Sequence, residues 1–248
     1  MNAGLTAPPP RAARPAVRAV LFDLDGTLLD TVLDIAAALN AALQEQQLSP
    51  LAAAEVRLLI GRGVPTLIER ALARLGAAAA RADRALLQQS YHAYYQNLHE
   101  RNAFKARPFP GVAQGLRGLH ALGLHLAVVT NKSQDLAVDL LARLELGQWI
   151  DAVVGAQGDR QRKPDPQPLL LACERLQVRA AQALMVGDSL VDVSAARAAG
   201  MAIVCVPYGY NEGADPRTLP CDALVESIAE LPAFLVGTSR PGAPLRPV

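Results

Sequence analysis

The segment VRAVLFDLDGT, residues 17–27, joins a short apolar run to two aspartates. The run Val17–Phe22 lacks a regular polar alternation, which is typical of strands buried on both faces of a parallel sheet. Carboxylates at i and i+2 of a strand point to the same side, and open α/β sheets bind ligands beyond the carboxyl ends of their strands. Asp23 and Asp25 are therefore predicted to share a binding crevice, where a cation or a proton must offset their repulsion. The alternative is that Asp25 and Gly26 serve only a turn.

Short apolar runs and helical patterns alternate along the rest of the chain. The further strand candidates are His125–Val129, Ala152–Val154, Ala183–Val186, Ala202–Val206 and Ala223–Val225. The helix candidates between them are Val112–Leu122, Asp135–Leu144, Pro166–Leu176 and Leu190–Ala199. This alternation predicts an α/β fold, namely a doubly wound, mainly parallel, Rossmann-like sheet with helices on both faces.

One interval is far longer than the others: about 100 residues separate the first two strand candidates, whereas a crossover connection needs only a dozen or more. Residues 31–106 place apolar side chains at helical spacing and contain no convincing strand. They predict an inserted all-helical domain, which we call the cap. Pro108, Pro110 and Gly111 mark its exit. The α/β core is then expected to comprise residues 17–30 and 107–235.

Composition limits the classes of function. Residues 1–16 and 236–248 are rich in proline and arginine and are expected to be flexible tails, and no secretory signal is evident. The net charge of +1 gives no long-range field that would attract nucleic acid or an anionic membrane. The three cysteines form no CxxC pair, so a reducing, cytoplasmic location is expected. These features do not predict an oligomeric state.

Lysine is rare in this chain, since only Lys105, Lys132 and Lys163 are lysine among the 24 basic residues. A lysine retained in such a chain suggests that a compact ammonium is required rather than a planar guanidinium. Lys163, in the segment RKPDP, is the strongest candidate, whereas Lys132 is expected on the solvated rim. Thr130 and Asp188 each follow a strand candidate and, taken alone, would be interpreted as helix N-caps.

The segment Asp23-Leu24-Asp25-Gly26-Thr27-Leu28 resembles the first motif of the haloacid dehalogenase superfamily. Phosphatases of that family use the first aspartate as nucleophile and the second as general acid and base. Three further motifs follow in the family's order: Thr130-Asn131 after the second strand, Lys163 before a proline, and Gly187–Asp192 after the fourth strand. The resemblance covers roughly residues 17–230 and implies a phosphoryl-transfer enzyme with a helical cap.

The resemblance also implies a role for each candidate site residue. Asp23 and Asp25 are the catalytic pair. The implied magnesium ligands are Asp23, Asp25 and Asp188, with Asp192 behind them, and the implied phosphate-binding residues are Gly26, Thr27, Thr130, Asn131 and Lys163. Four carboxylates and one ammonium leave about three negative charges, and a bound Mg²⁺ with a protonated Asp25 brings the sum near zero. Ligands that are all oxygen atoms suit Mg²⁺ better than zinc.

Two segments resemble bacterial phosphoglycolate phosphatases, namely Asp30–Asn40 at the start of the cap and Val206–Gly213 after the fifth strand. The implied substrate is 2-phosphoglycolate, hydrolysed through an aspartyl-phosphate on Asp23. Arg62, in the loop Gly61-Arg62-Gly63, is the candidate for binding the substrate carboxylate. A solvated loop arginine is an equally good interpretation of this residue.

Other functions share the core motifs and stay open. They are a phosphatase for a sugar phosphate such as N-acetylmuramic acid 6-phosphate, a pyrophosphatase and a β-phosphoglucomutase. A non-catalytic binding protein with this fold is expected to have lost Asp23, Asp25, Lys163 or Asp188, and all four are present. A Ser-His-Asp hydrolase is disfavoured, because the chain has no GxSxG motif and its four histidines lie outside the motifs.

Overall fold

The computed structural model describes residues 17–238, so the predicted tail 1–16 and residues 239–248 of the other tail lie outside the described residues. The strands of the described part are β1 (Ala19–Phe22), β2 (Leu29–Asp30), β3 (Arg107–Pro108), β4 (His125–Ser133), β5 (Ala152–Ala156), β6 (Ala183–Gly187), β7 (Ala202–Cys205) and β8 (Ala223–Leu224).

The α-helices of the described part are α1 (Val32–Glu45), α2 (Ala53–Arg57), α3 (Val64–Leu75), α4 (Arg84–Glu100), α5 (Val112–Ala121), α6 (Gln134–Arg143), α7 (Gln167–Arg175), α8 (Leu190–Ala198) and α9 (Leu231–Thr238). Short 3₁₀ helices lie at Gly76–Ala79, Gly147–Trp149, Ala180–Gln182, Asn211–Gly213, Pro216–Thr218 and Ile228–Glu230. Helix α9 includes residues 236–238, which were expected to belong to the tail. Within the described residues, every helix is too short or too polar to cross a membrane.

Six strands form one sheet in the order β5-β4-β1-β6-β7-β8, with every pair parallel. Strand β1 lies in the middle, between β4 and β6, and its four residues are fully buried. Val20 and Phe22 pack in one apolar cluster with residues of α5 and α6, while Ala19 and Leu21 pack on the opposite face with α7 and α8. The predicted parallel α/β sheet is therefore confirmed, and its two-sided burial explains the missing polar alternation.

The helical insertion is also confirmed, since α1 to α4 lie between β2 and β3. These two strands form an antiparallel ribbon at its base, in which Leu29 pairs with Pro108 and Asp30 with Arg107. Strands of two residues are too short to show a period of two, which is why the sequence pattern missed them. The cap has its own apolar cluster, to which the core contributes Tyr210.

Strand β4 is longer than its apolar run predicts. The run ends at Val129, but the strand continues through the polar residues Thr130, Asn131 and Lys132 to Ser133, with a shift in its register against β5. A bulge of this kind changes the direction of side chains at the end of a strand. It places three consecutive polar residues at the carboxyl edge of the sheet, beside the end of β1.

Candidate active site

The predicted site residues come from three neighbouring strands and the loops that follow them. Asp23 follows β1, Thr130 lies near the end of β4, and Asp188 follows β6. Because these strands are parallel and adjacent, their carboxyl ends meet at one edge of the sheet. Lys163 reaches the same place from the loop between β5 and α7. The structure therefore brings together residues that are more than 100 positions apart in the chain.

Lys163 lies between two carboxylates. Its Nζ is 2.9 Å from Asp23 Oδ1 and 2.7 Å from Asp192 Oδ1, and only 1% of its side chain is exposed. Burial opposes the charge on Lys163, but the charges of Asp192 and Asp23 outweigh burial and raise the pKa of Lys163 above its usual value. The ammonium is therefore held charged in the interior.

Asp23 and Asp188 lie in an environment with too little positive charge. Burial, together with Asp192 and Asp188, raises the pKa of Asp23 to about 8, although Lys163 partly offsets this. Burial and Asp192 raise the pKa of Asp188 to about 6, although hydrogen bonds from Thr27 and Tyr210 oppose the shift. The common cause is that buried carboxylates crowd around one ammonium. Without a cation, the carboxyl groups of Asp23 and Asp188 therefore hold protons to a higher pH than usual, and a bound cation would replace those protons.

Each oxygen of Asp188 accepts a hydrogen bond. Thr27 Oγ1 donates to Oδ1 at 2.7 Å, and the backbone N–H of Tyr210 donates to Oδ2 at 2.7 Å. Two glycines make room for this side chain: an added Cβ would lie 2.5 Å from Asp188 Oδ2 at Gly26 and 2.1 Å from Asp188 Cβ at Gly209. Gly26 also has a φ of +90°. The glycine after Asp25 therefore serves the acidic site as well as the turn.

The carboxylates of Asp23, Asp188 and Asp192 form a cluster whose oxygen atoms lie within 4.8 Å of one another. Three buried carboxylates, which offer only oxygen atoms as ligands, fit a hard divalent cation such as Mg²⁺. Asp192 already accepts from Lys163 through Oδ1 and from Ser189 Oγ through Oδ2, at 2.7 Å in each case. The buried ion pair with Lys163 agrees with the outer position predicted for Asp192, and the ligand roles of Asp23 and Asp188 stay predictions.

Asp25 has different partners from Asp23. Its Oδ1 accepts from Thr31 Oγ1 at 2.7 Å and lies 3.2 Å from Lys132 Nζ. Among the described residues, its carboxylate does not belong to the cluster of Asp23, Asp188 and Asp192 that could hold a metal ion. The sequence predicted both a catalytic and a magnesium-binding role for Asp25. The geometry brings its carboxylate to the pocket floor, and its catalytic role stays a prediction.

Lys132 is a site residue that the sequence interpretation missed. It was expected on the solvated rim, but its side chain is only 6% exposed, which corrects that expectation. Its Nζ lies 4.4 Å from the ring centroid of Tyr95, a residue of cap helix α4. The rim prediction was wrong because α4 of the cap covers this part of the core. The scarcity of lysine was a usable signal, but it was applied only to Lys163.

Thr130 and Asn131 are buried and line the same pocket as Asp23. Thr130 Oγ1 accepts from the backbone N–H of Lys132 at 3.1 Å. Asn131 Nδ2 donates to the carbonyl oxygens of Gly61, at 3.1 Å, and Lys163, at 2.9 Å, while its buried Oδ1 has no hydrogen-bond partner among the described residues. Asn131 thus connects the cap to the core.

Arg62 lies away from the pocket wall. Its Nε is 3.0 Å from Glu212 Oε1, and 39% of its side chain is exposed. Arg70 contacts the same Glu212 oxygen at 2.9 Å. In this arrangement Arg62 ties the cap to the loop after β7, which agrees better with the solvated-loop interpretation than with binding of a substrate carboxylate.

The pocket lies between the cap and the core. Asp23, Asp25 and the segment Thr130–Ser133 form its polar floor, and mainly apolar side chains of the cap form its walls. The cap side includes two glycines of the predicted loop, Gly61 and Gly63. An acidic, oxygen-rich floor under an apolar lid is suited to charge-dependent chemistry from which water is excluded.

The family model described as haloacid dehalogenase-like hydrolase matches residues 20–206. This range is most of the chain and contains all of the predicted site residues. The chain belongs to the haloacid dehalogenase-like hydrolases.

Curated relatives are similar over nearly their whole length. The phosphoglycolate phosphatase of Nitrosospira multiformis is 43% identical over 214 residues, covering 86% of this chain and 93% of the relative. The plasmid phosphoglycolate phosphatase of Cupriavidus necator is 45% identical over 217 residues, covering 88% and 92% respectively. A crystal structure of a predicted phosphoglycolate phosphatase from Haemophilus somnus matches with a TM-score of 0.80 at 29% identity, covering 88% of this chain and 97% of that chain.

Proposed function

We propose that this protein is a Mg²⁺-dependent phosphomonoester hydrolase whose substrate is 2-phosphoglycolate, which it converts to glycolate and phosphate. The observation that carries the reaction class is the buried group of Asp23, Lys163, Asp188 and Asp192, which reaches the covered pocket through Asp23, beside Asp25. The substrate is supported by the similarity to phosphoglycolate phosphatases over most of both chains.

Asp23 is the proposed nucleophile. The N–H of Leu24 donates to its Oδ1 at 2.7 Å, and Lys163 Nζ lies 2.9 Å from the same oxygen. Because both contacts fall on Oδ1, we assign Oδ2 as the oxygen that attacks phosphorus and forms the aspartyl-phosphate. Lys163 and Thr130 then face the charge that develops on the transferring phosphoryl group. Mg²⁺, held by Asp23 and Asp188, supplies further positive charge to that group when bound.

Asp25 is the proposed general acid and base. It donates a proton to the leaving alkoxide and then accepts one from the water that hydrolyses the aspartyl-phosphate. Thr31 and Lys132 hold its carboxylate at the pocket floor. The apolar side of the cap excludes bulk water while the phosphoryl group is transferred, which strengthens the electrostatic contacts on the floor.

A panel of phosphomonoesters, assayed with Mg²⁺ and with EDTA, tests this proposal. We expect 2-phosphoglycolate to have the highest kcat/KM, and we expect EDTA to abolish turnover of every substrate. If a sugar phosphate or pyrophosphate ranks well above 2-phosphoglycolate, the substrate assignment is wrong and the reaction class is kept. If no phosphomonoester, including p-nitrophenyl phosphate, is hydrolysed in Mg²⁺, the protein is a binding protein with this fold.

A further inference from the structure

The pocket between cap and core has one strongly basic side chain in its lining. Among the described residues that line it, Lys132 is the only lysine or arginine. Its side chain is almost completely buried, at 6% exposed. Lys163, the other buried lysine, is already shared between Asp23 and Asp192. Lys132 has a single carboxylate partner, Asp25, and is the one ammonium in the described lining of the pocket that a second anionic group of a substrate could contact.

The contacts of Lys132 show that a carboxylate fits against it inside the pocket. Its Nζ lies 3.2 Å from Asp25 Oδ1 and 3.4 Å from Asp25 Oδ2. Asp25 also accepts from Thr31 Oγ1 at 2.7 Å, so it keeps a hydrogen-bond partner if Lys132 turns to another anion. The face of Tyr95 supports the ammonium from the cap side, at 4.4 Å from the ring centroid.

Two other basic residues near the pocket are less suitable. Arg62 is paired with Glu212 and does not line the pocket wall. His92 lines the pocket, but burial and the neighbouring Arg162 lower its pKa below the usual 6.5. His92 is therefore mainly uncharged at neutral pH, and it can donate a hydrogen bond but cannot supply a full positive charge.

A further polar group in this pocket has no partner. The hydroxyl of Tyr95 is buried and forms no hydrogen bond with any residue that the structure describes. Burial raises the pKa of Tyr95 well above 10, so the hydroxyl stays protonated and can donate a hydrogen bond. A buried donor without an acceptor costs free energy. An anionic group bound beside Lys132 would supply an acceptor in the region of Tyr95.

We propose that Lys132 binds the carboxylate of the substrate while the phosphoryl group is held near Asp23 and Lys163. This inference rests on the proposed function and names the residue that selects the substrate. Thr130 and Lys132 both lie on the bulged end of β4 and line the same pocket as Asp23. Their proximity suits a short substrate with an anionic group at each end. The apolar walls lower the local dielectric and strengthen the ion pair.

Lys132→Met tests the proposal, with 2-phosphoglycolate and ethyl phosphate as substrates. Ethyl phosphate has the same two-carbon length and lacks the carboxylate. The readout is the ratio of the kcat/KM value for 2-phosphoglycolate to that for ethyl phosphate, because a general effect on Asp25 lowers both values and cancels. We expect the ratio to fall roughly 10- to 100-fold, as for the loss of one charge-assisted hydrogen bond.

Two variants serve as controls. Lys132→Arg keeps the charge and should retain more of the ratio than Lys132→Met does. Lys105→Met removes an exposed lysine outside the pocket and should leave the ratio unchanged. Thermal unfolding of each variant shows whether it is folded, and Lys132→Gln replaces Lys132→Met if the latter is not.

The outcomes separate this inference from the proposed function. If the wild-type protein prefers 2-phosphoglycolate and Lys132→Met keeps that preference, the assignment of Lys132 is wrong and the proposed substrate stands. If the wild-type protein does not prefer 2-phosphoglycolate to ethyl phosphate, both are wrong. An equal loss on the two substrates also overturns the proposal, because Lys132 would then act only through Asp25.

Discussion

Asp23 and Asp25 are two residues apart and both line the pocket, but they have different partners. Asp23 pairs with Lys163 and lies in a cluster with two further carboxylates, whereas Asp25 accepts from Thr31 and pairs with Lys132. Two carboxyl groups with different environments are a common basis for dividing nucleophile and acid–base roles in one active site. At the scale of single residues, the site is therefore organised by the partners of each carboxylate.

Asp23→Asn removes the proposed nucleophile and keeps the size of the side chain. We expect turnover of 2-phosphoglycolate to fall by roughly 10⁴-fold or more, since loss of a covalent nucleophile abolishes the main reaction path. The folded protein should persist, because an uncharged amide relieves the repulsion from Asp188 and Asp192. Steady-state kinetics and thermal unfolding measure the two effects. Substantial residual activity in a folded Asp23→Asn protein would contradict the nucleophile assignment.

Asp25→Asn removes the proposed proton donor. We expect the first turnover of an alkyl phosphate to slow by about 10²- to 10⁴-fold, because its alkoxide leaving group needs a proton. The first turnover of p-nitrophenyl phosphate should slow less, because p-nitrophenolate is a weaker base. Rapid-quench measurements on both substrates make the comparison, with the exposed Asp135→Asn as control. Equal slowing of the two substrates would argue against acid catalysis by Asp25.

At the scale of secondary-structure elements, short contacts between the cap and the loop after β7 hold the pocket closed. Arg57, at the end of α2, donates through Nη2 to the carbonyl oxygens of Tyr208, at 2.7 Å, and Gly209, at 2.5 Å. Its guanidinium also lies 5.1 Å from the ring centroid of Tyr210, whose N–H binds Asp188. The position of α2 is therefore coupled to Asp188, one of the clustered carboxylates, through one loop.

Arg57→Leu tests this coupling. We expect kcat/KM for 2-phosphoglycolate to fall about 10-fold and the free energy of unfolding to fall by about 1–3 kcal/mol, because two charge-assisted hydrogen bonds are lost. Arg74→Leu is a matched control within the cap, since it removes only an ion pair with Glu55 that is more than one-third exposed and contributes about 0–1 kcal/mol. Wild-type kinetics in Arg57→Leu would show that this contact does not position the site.

At the scale of the whole molecule, the acidic site lies at the middle of the sheet and is covered by a domain with a separate apolar cluster. Residues of β1 and β6 are buried on both faces, so the carboxylates at their ends cannot move apart to relieve their repulsion. Close-packed interiors transmit such strain instead of absorbing it. The stability of the entire fold should therefore depend on what neutralises these carboxylates.

This dependence predicts how pH and Mg²⁺ affect unfolding. Without a cation, the pKa is raised from 3.8 to about 8 for Asp23 and from 3.8 to about 6 for Asp188. At a pH between the ordinary and the raised pKa, the folded protein keeps a proton that the unfolded chain has released. The free energy of unfolding therefore falls as pH rises from about 4 to about 8. Mg²⁺ replaces those protons, and the stabilisation that it provides should grow over the same range.

Thermal unfolding from pH 5 to 8.5, in EDTA and in Mg²⁺, measures this dependence. We expect the difference in Tm between the two conditions to be larger at pH 8 than at pH 5. Asp188→Asn, which removes one proposed ligand, should reduce that difference. A Tm that is insensitive to Mg²⁺ at pH 8 would contradict a cation site at these carboxylates.

Much of this protein could be predicted from its sequence, because the relevant signals are local. The apolar runs predicted the six strands of the sheet, and the long interval after Phe22 predicted the helical insertion. The aspartates after β1 and β6 and the lysine before a proline predicted the site. Burial on both faces leaves a continuous apolar run, and a strand end followed by polar residues is visible within a few positions.

Only the tertiary structure decided which of these polar residues face one another. Lys132 and Asp25 are 107 positions apart, and Arg62 and Glu212 are 150 apart. No local pattern encodes those distances, so Lys132 was expected at the rim and Arg62 was the candidate for the pocket. The cap packs over the end of β4, so Lys132 is buried against Tyr95. Arg62 instead forms an ion pair with Glu212 and does not line the pocket. The sequence by itself therefore determined the fold and the chemical class of the site, while packing between distant segments decided which basic residue lines the pocket.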